Sequence, residues 1–509
     1  MATVASTVGS QGAAKPGLLY RLKVVLGLLL GLRKHDFRAA RSFLNTMFAD
    51  RSWIARRLFF LKWLVRTAFG DIPSGLADAT WDRPVSNVPI WLARGNPLAN
   101  YPFAQSPNAR LPKLAEVVVI GAGFTGAALA YHWSKRCDAQ KLLVILEMHD
   151  AASGSSGRNQ GVVVMGRYYG YVLKTVSAHL DRHSKLNHEQ QDALAHEFAA
   201  AYCKAAYENA EMIERTIREE RFDCEYQRKG WVQASTPAMQ AALARSTSLA
   251  KEYNFADWMQ ISPERVRELT GMHTQVNAGF SVAAATFHPA KWVWCLLQTA
   301  LKSCKAELYS RTKVSQIEDM GDFYRVHTQR GVIHARYVVN ATESYTPLIH
   351  SQFHDIIQPH QTQAAFGTGV QNRLRPHVAA STPLGFFGRH DNGMLFGSDA
   401  TRVPDEDAGK IQPSRFITKF LLGLAPQLFG RSRIHVTNEW SGTVSYTPDE
   451  YPIVGLMDEK RQYLIAGMAG SGTGVSFNAA HHVVGAILQL EQTNFYPEKY
   501  FSPRRFLSS

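Results

Sequence analysis

Cysteine is scarce in this chain: five residues, Cys137, Cys203, Cys224, Cys295 and Cys304, stand apart with no CxxC pair. That spacing speaks against a disulfide framework and a zinc site, and it suits a reducing compartment. Long apolar runs are missing as well. The longest uncharged stretch of the first apolar segment covers residues 24–32, where a bilayer span needs about 20 residues. No internal repeat recurs, which excludes a solenoid or array. Charged residues at 19% and hydrophobic residues at 45% lie near globular averages, so neither a disordered chain nor a polytopic membrane protein is indicated. Acidic residues are outnumbered, 42 against 56 basic, giving a net charge of +14. The excess is local. Residues 1–114 hold 16 Lys and Arg against 5 Asp and Glu, a net +11, which leaves +3 for residues 115–509. Whatever this charge attracts therefore concerns the N-terminal extension, and nucleic acid is not the expected partner of the body.

A length of 509 residues predicts two domains and an accessory segment. Residues 1–16 are small and polar and read as a flexible tail. Residues 17–70 read as a basic amphipathic helical extension, with apolar stretches at 18–32 and 54–69. The second places Arg56, Arg57, Lys62 and Arg66 among aromatic and aliphatic residues, the composition of an interfacial helix. Two readings stand open here: contact with a membrane surface, or packing on the body or on a partner subunit. The sequence RKHDFRAAR after the apolar run disfavours a cleaved signal peptide, while an organelle transit peptide stays open. The expected location is the cytoplasm, peripheral at the inner face of a membrane, with the mitochondrion as the alternative. Six prolines between positions 73 and 107 mark residues 71–113 as an irregular linker laid along a surface. Beyond it, buried strands alternate with helices, followed by a long helical region at about 185–220 and a glycine-rich helix entry near Gly467.

Residues 117–130, VVVIGAGFTGAALA, form a buried strand, a GxGxxG turn and a small-residue helix. Gly121 permits a tight turn, Gly123 admits a pyrophosphate close to the backbone, and Gly126 lets helix and strand touch. The first helical turn, with Phe124 and Thr125, presents N–H groups to a phosphate. A second strand, 142–146, ends in Glu147 about 20 residues after the last glycine, where a carboxylate accepts hydrogen bonds from a ribose. Strand, turn, helix and acid together make this a dinucleotide site. The loop that follows, AASGSSGRNQG at 151–161, favours FAD over NAD. Ser155, Ser156, Arg158, Asn159, Gln160 and Gly161 supply donors for a second phosphate and the ribityl chain.

The pairing of VVVIGAGFTG with SGSSGRNQG resembles the FAD-dependent D-amino-acid oxidase superfamily, in particular its glycine oxidase, sarcosine oxidase and gamma-glutamylputrescine oxidoreductase branch. The resemblance runs from about residue 115 to 492. It implies an α/β fold: a Rossmann-type FAD-binding domain with an interleaved α+β substrate domain on an antiparallel sheet, plus the helical N-terminal extension. FAD-binding parts are expected at 114–190, 286–350 and 431–492, substrate-domain parts at 191–285 and 351–430, and a C-terminal tail at 493–509. By the same resemblance, backbone near Val314 lines the adenine, and the strand ending at Ala341 approaches the cofactor. Glu343 stands where relatives carry the glycine of an Ala-Thr-Gly turn, which is a departure from the pattern. The segment 463–474, YLIAGMAGSGTG, resembles the flavin-closing turn, with Gly467, Gly470, Gly472, Thr473 and Gly474 at a helix N-terminus able to stabilise negative charge on reduced flavin.

The chemistry this implies is oxidation of a small amine or amino acid, with hydride passing to flavin and an imine left to hydrolyse. Oxidase and dehydrogenase are equally compatible with the motifs. Candidate catalytic residues fall where a substrate domain covers the flavin: His360, Arg389, His390 and Tyr446. His350, His354 and His360 lack the acid or cysteine partners of a metal site, so no metal is expected. Gly442 and Gly474 stand at the places where sarcosine oxidases carry a flavin-linked cysteine and a carboxylate-binding lysine. The 153–161 loop also lacks the histidine that links flavin in some relatives, so dissociable FAD is expected. Two rival readings remain: a tRNA-modifying flavoenzyme of the same superfamily, and a flavin-binding subunit without activity of its own in a membrane-associated complex.

Overall fold

The computed structural model describes residues 15–102, 109–138, 141–252, 258–369, 374–398, 408–457 and 460–507. The tail expected at 1–16 lies outside the described residues except for its last two. Two large sheets share the chain. The first is built on β2 (Leu114–Ile120), whose residues Val117, Val118, Val119 and Ile120 are all buried. Apolar side chains on both faces suit a strand that is sandwiched within a parallel sheet. Beside it run β3 (Leu143–Leu146) and β9 (Ala306–Tyr309) on one edge, and β12 (Gly331–Asn340) on the other, all parallel. The antiparallel pair β10 (Val314–Asp319) and β11 (Tyr324–Thr328) extends the β12 side. β19 (Gln462–Ala466) joins β12 in parallel and carries β18 (Ile453–Leu456), which completes eight strands.

The second sheet has nine strands in the order β1 (Ala79–Ser86), β17 (Ile434–Tyr446), β13 (Gln358–Thr368), β16 (Gly393–Ser398), β15 (Gly385–His390), β14 (Ala379–Thr382), β5 (Trp231–Ala234), β7 (Ala278–Ser281) and β6 (Trp258–Ile261). Six of its eight pairings are antiparallel; β1–β17 and β14–β5 are parallel. A short pair, β4 (Val162–Val163) with β8 (Ala285–Thr286), lies at the crossovers between the large sheets. The chain thus passes repeatedly from one sheet to the other, as the interleaved α/β arrangement requires.

Three helices form the extension: α1 (Leu18–Gly31), α2 (Lys34–Met47) and α3 (Trp53–Arg66). A π-helical turn at Thr67–Asp71 leads into α4 (Ile72–Asp78), and α5 (Ile90–Ala93) is one turn. α6 (Phe124–Arg136) follows the GxGxxG turn; α7 (Tyr169–His183), α8 (His188–Glu220), α9 (Gln240–Glu252) and α10 (Pro263–Thr270) come next. α11 (Pro289–Lys302) and α13 (Gly472–Leu488) pack on α6, while α12 (Arg415–Phe429) packs on α4. The long helical region is α8, whose start is set by Asn187: its side chain accepts from Gln190 N and the Gln190 side chain accepts in return from Asn187 N. Among the described residues no helix is long and apolar enough to cross a membrane.

Two segment assignments change. Residues 434–446, which the resemblance put in the third FAD-binding part, form β17 and hydrogen-bond along β13 in the nine-stranded sheet. Residues 71–113 are not simply an irregular linker. They contain α4 and the edge strand β1, whose pairing with β17 skips from Trp81 to Ser86, so Pro84 falls where no ladder hydrogen bond is needed. Asp78 anchors this segment by accepting two hydrogen bonds of 2.8 Å from Arg431.

Candidate functional site

Each glycine of the GxGxxG turn is in contact on the side where a Cβ would stand. Gly121 has φ +103°, and a Cβ there would lie 2.8 Å from the Ala341 carbonyl oxygen. At Gly123 a Cβ would lie 2.7 Å from Ser156 Oγ, and at Gly126 it would run into the Gly121 carbonyl oxygen. The turn is therefore pressed against the end of β12, the 153–161 loop and its own strand. Thr125 and Gly126 are buried in the first turn of α6. Glu147, at the end of β3, accepts from Ala122 N and from His149 N, each at 2.8 Å. Burial raises its pKa, while these two N–H groups oppose the rise. Two lone pairs are used, and a carboxylate offers about four, which leaves acceptor capacity at the place a ribose hydroxyl would take. Thr312 N donates to the Glu147 carbonyl at 2.8 Å, which sets the start of β10 at Val314 beside the same strand end.

The 153–161 loop is tied down from three directions. Ser156 Oγ accepts from Phe124 N at 2.8 Å. Ser155 Oγ donates to the Thr443 carbonyl of β17, and Arg158 donates to Ser153 O at 2.7 Å and to Ser441 O at 3.0 Å. Asn159 closes the loop on itself through the Ser155 and Ser156 carbonyls and Gly161 N. Gln160 reaches the nine-stranded sheet, donating to Ala380 O and Phe387 O at 3.1 and 3.0 Å. Asn159 and Gln160 thus spend their side-chain N–H donors on the protein, and Arg158 spends Nε and Nη1 on two carbonyls, so all three shape the loop. A further support was hidden in the proline-rich segment: buried Trp91 of α5 donates to Asn159 O at 2.8 Å and fills the space beside Gly161, whose φ is +75°. Aromatic content inside a proline-rich stretch was the one signal for it.

The C-terminal glycine turn meets the same place. A Cβ on Gly472 would be 3.8 Å from Phe124 Cδ2, so the N-termini of α13 and α6 stand side by side. Two positive helix ends at one point favour an anionic group between them. Gly467 (φ +66°) and Gly470 (φ +77°) adopt the left-handed backbone that lets the turn fold tightly. Thr473 donates to Val162 O at 2.8 Å and Gly474 lies against Val164 O, which fixes α13 on β4. Glu343 is the residue the sequence pattern could not place. It sits at φ +54° and accepts from Ser344 Oγ, from Ser445 Oγ at 2.6 Å and from Met468 N at 3.1 Å. It joins β12, β17 and the glycine turn through one half-buried carboxylate, whose pKa is raised by desolvation against the pull of these donors.

The four candidate catalytic residues separate into two groups. His360 and Tyr446 lie on neighbouring strands β13 and β17 with their rings edge to face, centroids 5.2 Å apart. The Tyr446 hydroxyl is 3.9 Å from the position of a Cβ on Gly470. Arg389 and His390 are not with them. Arg389 points to Leu374 O at 3.4 Å, and His390 contacts Gln160 O at 3.2 Å and the edge of Trp91, behind the loop. Burial pushes the His390 pKa down to about 4. Its position is that of a packing histidine. Arg167, absent from the sequence-based set, lies next to Gly166, whose N is 3.2 Å from a Cβ placed on Gly474. It pairs with Glu450 and stands over the rings of Tyr171 and Tyr451 at 4.9 and 5.8 Å. Among the described residues no group of three or more His, Cys, Asp or Glu is placed to hold a metal ion.

The bare glycine cradle, the carboxylate at the end of β3 and the paired helix N-termini fit a dinucleotide such as FAD. Comparison with known proteins agrees. Residues 116–485 match the family model described as FAD dependent oxidoreductase (DAO). A probable oxidoreductase, OrdL, of Haemophilus influenzae is 22% identical over 390 residues, covering 74% of this chain and 83% of its own. The solved L-proline dehydrogenase of P. horikoshii superposes with a TM-score of 0.62 at 18% identity, over 78% of this chain and 99% of that one. Glycine oxidase of Geobacillus kaustophilus gives 0.60 at 16% identity, over 77% and 98%. At these identities the structural likeness is one of fold.

Proposed function

The chain belongs to the DAO family of FAD-dependent oxidoreductases, and from that premise we propose that it oxidises the C–N bond of a small amino acid or amine. The observation that carries this reading is the meeting of the two sheets at the glycine turn, where Tyr446 stands beside Gly470 with His360 against its ring. The names of two fold neighbours, a proline dehydrogenase and a glycine oxidase, support the substrate class.

Bound FAD supplies the two-electron acceptor. His360 and Tyr446 orient the amine, and His360 takes the ammonium proton so that the nitrogen lone pair is available. The hydrogen on the reacting carbon then leaves with its electron pair, and the lone pair closes a C=N bond. Water adds to that bond and the amine departs, leaving a carbonyl compound. Arg167 holds the carboxylate of an amino-acid substrate, which displaces Glu450 from the guanidinium. Gly474 stands where a lysine would, and Arg167 follows Gly166, whose N is 3.2 Å from a Cβ placed on Gly474.

The test is anaerobic addition of amino acids and amines to the FAD-loaded protein while the flavin absorbance is followed. Bleaching by at least one of them is expected, and readmitted air then distinguishes an oxidase, which recolours at once, from a dehydrogenase. Tyr446→Phe and His360→Asn are expected to slow bleaching about 100-fold with FAD retained. Arg167→Lys is expected to raise KM for amino acids and spare that for amines lacking a carboxylate. Bleaching by none of them would overturn the reading in favour of a non-catalytic flavin-binding subunit.

A further inference from the structure

α1 and α3 are joined to the body on one side only. On α1, Val24, Val25, Leu28 and Gly31 are half-buried, and a Cβ on Gly31 would come 2.5 Å from the Phe416 ring of α12. On α3, Phe60 and Trp63 face inward and stack at 6.0 Å; Trp63 meets the Phe43 ring at a tilt, centroids 4.4 Å apart, and donates to Gln427 at 3.4 Å. The other sides carry apolar stripes at helical spacing. α1 exposes Leu19, Leu22, Leu26, Leu29 and Leu30, with Leu19 at 84% and Leu30 at 80%. α3 exposes Trp53 at 68% together with Ile54, Leu58, Leu61, Leu64 and Val65. Neither helix has a single buried residue. So much continuous exposed leucine marks an interaction surface.

Charge selects the occupant. Residues 17–70 hold 11 Lys and Arg against 2 Asp and Glu, a net +9. Lys23 on α1 and Arg57 and Lys62 on α3 are exposed among these stripes. Arg57 lies over the Trp53 ring at 3.5 Å and Arg51 over Phe59 at 3.8 Å, so guanidinium groups sit at the border of the apolar surface. A second copy would bring +9 against +9 and be repelled. A nucleic acid would take the charge and leave the leucines in water. A lipid surface with anionic headgroups satisfies both, the stripes entering the acyl boundary and the cations meeting the headgroups. Helices of 14 residues are about 21 Å long, short of the about 30 Å hydrocarbon core, so they lie in the interface and do not cross it.

We propose that the N-terminal helices α1 and α3 dock this protein on the surface of an anionic lipid bilayer. The experiment is cosedimentation of the full-length, FAD-loaded chain with two kinds of vesicle, phosphatidylcholine alone and phosphatidylcholine with about one third phosphatidylglycerol. The bound fraction is expected to be at least about tenfold higher on the anionic vesicles and to fall severalfold when NaCl is raised to about 0.5 M. Leu58→Glu with Leu61→Glu should abolish binding and leave the flavin spectrum unchanged, since both side chains are exposed. Arg57→Gln with Lys62→Gln, which keeps the apolar stripe, should lower binding only on the anionic vesicles. Absence of binding to either vesicle, or equal salt-insensitive binding to both, would overturn the proposal. A stable dimer in solution that the Leu58→Glu and Leu61→Glu pair dissociates would overturn it too, in favour of a second copy.

Discussion

Glu343 stands in left-handed backbone that costs a residue with a Cβ about 1–2 kcal/mol and costs glycine nothing. Its carboxylate offsets that strain by satisfying Met468 N and Ser445 Oγ, both buried where sheet, strand and glycine turn meet. A buried donor left without a partner costs about 1–3 kcal/mol. Glu343→Gly, which restores the glycine of the family pattern, is therefore expected to destabilise the protein by about 1–2 kcal/mol despite relieving φ, and to weaken FAD binding. Urea unfolding and FAD titration check both; a more stable variant would show that the tie contributes less than the strain. The same scale explains why Gly126 is indispensable: helix and strand touch there with no room for a methyl group.

Two elements organise the site from outside the dinucleotide domain. β17 runs under the 153–161 loop at Ser441 and Thr443 and reaches the glycine turn at Ser445 and Tyr446, so one strand sets the distance between the two halves of the site. α5 does the complementary task, with Trp91 braced between Asn159 O and the His390 ring. Trp91→Ala removes a buried indole and its hydrogen bond, a loss of about 3–5 kcal/mol if the space does not collapse. FAD affinity is expected to fall at least about tenfold, measured by fluorescence titration, with the far-ultraviolet circular dichroism unchanged. Unchanged affinity would mean that the loop holds its shape through Ser155, Ser156 and Arg158 alone.

For the whole molecule, pH and cofactor set stability. Burial drives His288, His390 and His481 down to about 4, below the ordinary 6.5. Between these values the unfolded chain binds protons that the folded chain refuses. The contribution is therefore fully present above pH 6.5 and is lost as pH falls toward 4, by up to about 1.4 kcal/mol per pH unit for each histidine. Thermal melting followed from pH 7 to 4.5 should show that decline, and His390→Asn should make it shallower. FAD acts in the opposite direction. At a hundredfold excess over Kd it adds about 2.7 kcal/mol, so stripping it should lower Tm by several degrees. Because Gly442 offers no sulfur and its Cβ position lies 3.3 Å from Arg158 Cβ, the flavin is expected in the supernatant after acid precipitation.

Local pattern carried the backbone geometry around the two glycine turns: the buried valines of β2, the tight turn at Gly121, the entry into α6 and the left-handed Gly467 and Gly470 are readable because strand burial, tight turns and helix entry depend on residues within a few positions of one another. The interleaved fold and the FAD cofactor followed from those motifs and from the family they resemble. Tertiary structure alone decided the rest. That β17 belongs to the nine-stranded sheet depends on its pairing with β13, some 80 residues away, and edge strand β1 was concealed by Pro84 and the prolines that flank the strand. The separation of His360 and Tyr446 from Arg389 and His390, the brace at Trp91 and the reach of Glu343 to Met468 are long-range contacts with no local periodicity to betray them. Composition showed that the extension is basic and apolar; only its packing against α12 showed which sides of α1 and α3 remain exposed.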